Sequence, residues 1–156
     1  MSVLEIADLP ADRLPGEALA VPLFADQRPL AGPAAVVDWR LDGALTRMLL
    51  GGELSGRSGE ALAVRTNAKF AAPWVLLCGS GEWRPLDRSG YLGMVERLLA
   101  MAGKAGIREL GLCLPPAEQI NAAEVERIVR EALIGPGRPD LCRLSRIADF
   151  GRIGSA

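Results

Sequence analysis

The chain has 156 residues, 49% of them hydrophobic, and 18 basic residues against 19 acidic ones give a formal net charge of −1. That length and apolar content exclude a disordered chain and suit one domain, residues 1–156, with a single sizeable core, while the balanced charge gives no electrostatic case for nucleic acid or an anionic membrane, both of which favour a clustered basic surface. There is no histidine, which excludes Ser–His and Cys–His nucleophile pairs, imidazole acid–base catalysis and imidazole metal ligation.

Ser2 to Ala7 alternates as a strand does, and Pro10 and Pro15-Gly16 end it. The N-terminus, Met1 to Asp8, has neither a basic region nor a long apolar stretch, so no secretory signal is expected there. Ala18 to Phe24 is the next strand. Its Pro22 cannot donate to a ladder and should lie at a sheet edge or near the strand's end. Ala34 to Leu50 reads as one helix or two short ones, with Leu41, Leu45, Met48 and Leu49 on one face and Gly51-Gly52 as the stop. Ala61 to Arg65 is a strand after a glycine-punctuated turn.

Trp74 to Cys78 is an unbroken apolar run between Pro73 and the turn Gly79-Ser80-Gly81. Such a run reads as a strand buried on both faces, in the middle of a sheet flanked by helices. Pro85 and Asp87 start a helix that runs from about Ser89 to Lys104, with Tyr91, Val95, Leu98 and Ala102 as its apolar stripe. Ile107 to Leu114 is a strand ended by Pro115-Pro116. Asn121 with Glu124 reads as a capping box opening a helix whose buried face holds Val125, Ile128, Val129, Ala132 and Leu133. From Leu141 to Phe150 the apolar spacing suits a helix and the position after a Gly-Pro turn suits a strand; we take it as a strand. Strands alternating with amphipathic helices imply an α/β fold whose mixed, mainly parallel sheet is covered on both faces. No window supplies the ~18 apolar residues that a membrane-spanning helix needs.

Ligands in such sheets tend to bind outside the carboxyl ends of the strands, so the first candidate site is Gly79, Ser80, Gly81 and Trp83. Amides of a glycine turn can point at a phosphate or carboxylate, and Trp83 could stack on a ring. A dinucleotide fingerprint would want a glycine where Arg84 stands, and a P-loop would need a Gly-Lys-Ser or Gly-Lys-Thr that is absent. The other reading is a glycine turn after a buried strand, with Trp83 capping the core. Arg57 among its glycines, and Arg138, Arg143, Arg146 and Arg152 near the C-terminus, read as solvated or partner-facing. Glu118, Glu124, Glu126 and Glu131 lie on or near a helix with Arg127 and Arg130, and read as surface pairs, not a metal cage. Cys78, Cys113 and Cys142 form no Cys-x-x-Cys pair; each reads as a buried small hydrophobe in a reduced, cytoplasmic protein. No cofactor or metal site follows from the sequence, and the catalytic set is empty.

The run Leu45-x-x-Met48-Leu49-x-Gly51-Gly52-Glu53-Leu54-Ser55-Gly56-Arg57-x-Gly59-Glu60 resembles a segment near the start of leucyl aminopeptidases of the M17 peptidase family. The strand Val75-Leu76-Leu77 with its Gly79-x-Gly81 turn then matches that family's next strand and turn, and the resemblance extends over about Glu17 to Leu133. It implies the family's N-terminal domain, a three-layer α/β/α fold similar to macro domains. The family's catalytic domain holds two metal ions and carries an Asn-Thr-Asp-Ala-Glu-Gly-Arg signature that does not occur here, so no catalytic or metal residue is carried over. The expectation is a stand-alone relative without peptidase activity. In the full enzymes this domain helps to assemble a hexamer, and in some members to bind DNA. The partners implied are therefore the chain itself or a full-length aminopeptidase, with neither membrane nor nucleic acid expected. The macro-like fold raises an alternative, a module binding a nucleotide or an ADP-ribose-like ligand through the Gly79-Ser80-Gly81 turn, although the glycine-rich loop typical of such binders is not evident.

Overall fold

The structure, a computed structural model, describes residues 1–83, 87–117 and 119–146. Arg84, Pro85, Glu118, Arg152 and the part of the Leu141–Phe150 segment from residue 147 onward lie outside the described residues. Among the described residues six strands form one sheet: β1 (Val3–Ala7), β2 (Ala18–Leu23), β3 (Ala61–Arg65), β4 (Trp74–Gly79), β5 (Glu109–Leu112) and β6 (Leu141–Ser145). Their spatial order is β1-β6-β5-β2-β4-β3, and every neighbouring pair is parallel except β3 with β4. Among the described residues four α-helices cover it: α1 (Gly32–Arg40), α2 (Ala44–Leu50), α3 (Arg88–Lys104) and α4 (Ala122–Ala132). None of the helices among the described residues is long and apolar enough to cross a membrane.

The two faces of β2 explain why its sequence is apolar throughout. All six of its residues are buried. Leu19, Val21 and Leu23 pack with Val36 and Val37 of α1 and Leu45 of α2, whereas Ala18 and Ala20 pack with Tyr91, Met94 and Leu98 of α3. β4 divides in the same way, Val75 and Leu77 facing one side and Leu76 and Cys78 the other. Alternate residues of a strand point to opposite faces, so a strand with helices on both sides must be apolar at every position.

Pro22 lies near the end of β2, as expected, and although β2 is an interior strand the proline is tolerated there for a local reason. The carbonyl of Ala20 accepts from the Cys113 amide at 3.4 Å, so Ala20 faces β5, and Pro22, two residues on, faces the same way. The β2–β5 pairing ends at Ala20 with Leu112. The missing N–H of Pro22 therefore points past the end of β5 and removes no ladder bond.

The helical stretch after β2 is two helices. Asp42 and Gly43 both have positive φ, at 57° and 80°, which breaks the first helix. Gly43 has no side chain to cap α2, and the carboxylate of Asp38 in α1 caps it instead, accepting from the Thr46 amide at 3.0 Å and the Thr46 hydroxyl at 2.6 Å. The expected strand from Ile107 to Leu114 shortens to four residues. In the Leu141–Phe150 segment the described part is the strand β6, with Cys142 and Leu144 buried in alternation. α3 is capped by Asp87, whose carboxylate accepts from the Gly90 amide at 2.8 Å. Asn121 caps α4 by accepting from the Glu124 amide at 2.9 Å. Glu124 turns its own carboxylate to Arg88 and Arg127, so the capping box is half formed.

Two glycines of α3 have opposite roles. A Cβ on Gly103 would stand 1.8 Å from the carbonyl oxygen of Gly137, so α3 touches the α4–β6 turn where only glycine fits. A Cβ on Gly93 would meet nothing closer than the flexible end of Arg97, at 3.4 Å. Gly93→Ala should raise stability by roughly 0.5–1 kcal/mol, the usual gain from replacing a helical glycine. Gly103→Ala should lower it by about 1–3 kcal/mol, as an overpacked contact does. Urea denaturation of the two variants checks the pair, because helix propensity alone would move both in the same direction.

Candidate functional site

Beyond β2 the chain passes to α1 and α2 on one face of the sheet, while β5 lies between α3 and α4 on the other face. Neighbouring parallel strands that send their connections to opposite faces leave a crevice at their carboxyl ends. A cleft of about 890 Å³ opens there, lined by the end of β2, the start of α1 and Pro115-Pro116 after β5. Phe24 and Trp83 form one wall, edge to face, with ring centroids 4.9 Å apart and planes at 73°. The Trp83 amide donates to the Asp26 carboxylate at 2.9 Å, which holds that loop in place. Trp39 of α1 stands on the rim, 56% exposed.

Charge in the cleft comes from Asp38 and Asp42, and among the described residues no lysine or arginine lines it. Both acids are committed to the fold. Asp38 caps α2, and Asp42 bonds to Lys69, whose hydrogen bond and positive charge hold the Asp42 carboxyl below its ordinary range. The beginning of α1 brings the opposite polarity. Its N-cap, Ala31, makes no side-chain bond to the first turn, Pro33 lies in that turn, and both line the cleft. Unpaired amides and the helix dipole make that end weakly positive.

The four residues expected to form a ligand site are not brought together. Trp83 lines the cleft, while Gly79, Ser80 and Gly81 do not. Their amides are spent inside the fold: Gly79 donates to the Glu60 carbonyl at 2.7 Å, Ser80 to the Leu23 carbonyl at 2.9 Å and Gly81 to the Gly56 carbonyl at 2.9 Å. The turn thus ties the end of β4 to the end of β2 and to the loop before β3. Glycine is required by close approach: a Cβ on Gly79 would lie 1.9 Å from the Arg57 carbonyl oxygen, and one on Gly56 would lie 2.8 Å from the Ala25 nitrogen.

Glu60 fastens the same loop. Its carboxylate accepts from the amides of Ser55 and Gly56, at 2.9 and 2.8 Å, and from the Ser55 hydroxyl at 2.9 Å. Burial opposes its ionisation, but the two amides, the hydroxyl and the charge of Arg57 together outweigh burial and hold the carboxyl below its usual range. Arg57 itself is exposed. The C-terminal arginines are engaged: Arg138 with the Ala132 carbonyl, Arg143 with Glu5, and Arg146 with Asp8.

All three cysteines are buried, and burial pushes each thiol up to about 12. Tyr91 is likewise pushed above its ordinary value by burial, and its hydroxyl donates to the Pro115 carbonyl at 2.7 Å. Among the described residues no group of three His, Cys, Asp or Glu side chains could hold a metal ion. The cleft walls Phe24, Trp39 and Pro115 were not anticipated from sequence. The signal lies in the loops after β2 and β5, but it becomes readable only once those two strands are known to be neighbours.

The model of the cytosol aminopeptidase family, N-terminal domain, matches residues 20–135. A probable cytosol aminopeptidase of Thermosynechococcus vestitus is 27% identical over 76% of this chain and 24% of its own length. One of Idiomarina loihiensis is 30% identical over 74% of this chain and 23% of its own length. The chain therefore spans about a quarter of the length of the curated relatives it matches. Among solved structures, a tomato leucine aminopeptidase mutant superposes with a TM-score of 0.62 at 17% identity, over 93% of this chain and 32% of that one. An Oceanobacillus iheyensis macrodomain with ADP superposes with a TM-score of 0.68 at 10% identity, over 95% of this chain and 85% of that one. At those identities the structural likeness establishes the fold, which is macrodomain-like.

The Glu60 carboxyl gives the loop a pH dependence of known sign. A carboxyl held below its unfolded value of 4.5 adds stability above that pH, and the contribution is lost as pH falls through the folded value. Glu60→Gln should lower the melting temperature at pH 7. The gap from wild type should narrow progressively below about pH 4.5, as Glu60 protonates in the native protein. Melting curves of both proteins from pH 7 to pH 3 check this; a gap that stays constant over that range would remove the ionic role of Glu60.

Proposed function

The chain belongs to the cytosol aminopeptidase family, matching its N-terminal domain, and from that premise we propose that this domain is non-catalytic and works through contact with other protein chains, either copies of itself or a full-length aminopeptidase. The observation that carries the non-catalytic half is the state of its reactive side chains. A nucleophilic cysteine needs an accessible thiolate, and here every thiol is buried and pushed up to about 12. The carboxylates nearest the cleft are engaged by Thr46 and Lys69. The assembly role implied by the family resemblance supports the other half. So do large apolar side chains left on the surface: Trp39, Leu50 at 84% exposure and Ile134 at 79%. Relatives that are cytosol aminopeptidases support a cytoplasmic setting.

A second reading rests on the cleft. It lies at the carboxyl ends of parallel strands with an aromatic wall, and a fold neighbour was solved with ADP. Trp83 and the first turn of α1 would meet a nucleotide or an ADP-ribose-like ligand. The acidic lining opposes a polyanion, and the amides of Gly79, Ser80 and Gly81 are occupied, so this reading stands second.

The pure chain should show no turnover of leucyl-p-nitroanilide with Mn²⁺ or Zn²⁺, and should co-elute with a full-length aminopeptidase from the same cell or self-associate. Metal-dependent hydrolysis that scales with the chain's concentration would overturn the non-catalytic reading. For the second reading, ADP and ADP-ribose are the probes. A ligand at 100 times its dissociation constant should stabilise the fold by about 2.7 kcal/mol, and Trp83→Ala should abolish the effect. A flat thermal-shift response would remove that reading for those two ligands.

A further inference from the structure

The outer edge of β3 is open. The flanks of the strand fix its orientation: the Glu60 carbonyl accepts from Gly79, and the Thr66 amide donates to Pro73. Between these bonds β3 pairs with β4 in unbroken antiparallel register, from Ala61 with Cys78 to Arg65 with Trp74. Even-numbered residues therefore bond to β4, and the backbone N–H and C=O groups of Ala61, Ala63 and Arg65 point away from the sheet. These same three residues are exposed, and two of them are alanines. Among the described residues nothing is bonded to those outward groups.

The edge also lacks the devices that keep edges apart. β3 has no proline, no bulge and no charge at its centre. Its one charged side chain, Arg65, folds back over the Trp74 ring of β4, 5.3 Å from its centroid. At the opposite edge, β1, the outward-facing residues are partly buried and not exposed. Val3 and Ala7 bond toward β6, so Leu4 and Ile6 are the residues whose backbone groups face outward.

We propose that β3 pairs antiparallel with β3 of a second copy of this chain, joining two six-stranded sheets across a two-fold axis at Ala63. The inference rests on the assembly reading above and gives it a surface. Only outward-pointing residues can bond across the seam, so odd residues must oppose odd residues. The register that uses all three sets Ala63 opposite Ala63 and Ala61 opposite Arg65, with on the order of six new backbone hydrogen bonds. In that register Glu60 opposes Thr66, so no like charges meet. Leu62, half-buried here, comes opposite Val64 of the second copy, and the two pairs extend the apolar layer beneath α1 and α2 across the seam. The contact is self-complementary and closes as a dimer, which argues for a second copy over an unrelated strand.

The test is the mass of the full chain in solution by sedimentation equilibrium. The expected value is twice 16.5 kDa. Ala63→Pro removes an N–H that bonds to nothing among the described residues, and Ala63→Lys sets two like charges across the axis. Both should give the 16.5 kDa monomer with unchanged circular dichroism. Ala63→Cys should give a covalent dimer on mild oxidation, reversed by dithiothreitol, since paired residues about 5.5 Å apart lie within disulfide range and the native thiols are buried. A wild-type monomer at several hundred micromolar overturns the proposal. So does a dimer that persists in the folded Ala63 variants. In that second case, or if a monomer still binds a full-length aminopeptidase, the assembly reading stands and only the β3 seam is lost.

Discussion

The carboxyl end of this sheet depends on one close approach, the Arg57 carbonyl against the Cα of Gly79. No side chain fits in that gap. Because the backbones touch there, the loop can exchange bonds with the strand ends: Gly59 with Gly79, Gly79 with Glu60, and Gly81 with Gly56. Glu60 then draws Ser55 and Gly56 inward through its carboxylate. A carboxylate that accepts several donors at once is stabilised in its charged form, and it rigidifies the groups that surround it. The chain leaves this fastening at Ala61 already aligned antiparallel to β4, so the contact also sets the register of β3 on β4.

The rest of the fold is a division of one apolar sequence between two cores. β2 and β4 send alternate side chains to α1 and α2 on one face and to α3 on the other. The helices differ accordingly. α3 is buried along most of its length, through Tyr91, Met94, Val95, Leu98, Leu99 and Ala102. α2 buries only Leu45 fully and owes its N-terminal cap to Asp38 in the preceding helix. The face carrying α1 and α2 is thus built from short pieces joined by polar side-chain bonds, and it is the face beside which the cleft opens.

Much of this was legible in the sequence, because burial imposes periodicity. The unbroken apolar run of β4 and the 3.6-residue stripes of α3 and α4 are legible from spacing alone, as is the Asn121 cap. What the sequence could not show is which strands are neighbours. Pro22 illustrates the limit: its place depends on β5 ending at Leu112, a fact about another strand. The cleft was hidden for the same reason. Phe24, Trp39, Trp83 and Pro115 lie far apart in the chain, and only the adjacency of β2 and β5 brings them to one crevice. The strands were legible as elements, but their order in the sheet was not.

The residues that carry the family resemblance are those with a geometric task. Gly56 has a φ of 87° and a backbone neighbour at 2.8 Å, Gly79 has one at 1.9 Å, and Glu60 holds three donors. Glycine at a contact and a carboxylate at a cluster of amides cannot be exchanged without moving the loop. That motif therefore identifies an architecture and is silent about a reaction. The same reasoning removes the Gly79-Ser80-Gly81 turn from the list of anion cradles, since an amide already donating to a carbonyl has no proton left to offer a phosphate. Whatever this protein contacts has to be sought where groups remain uncommitted, and among the described residues these include the aromatic wall of the cleft, the first turn of α1 and the outward backbone of Ala61, Ala63 and Arg65.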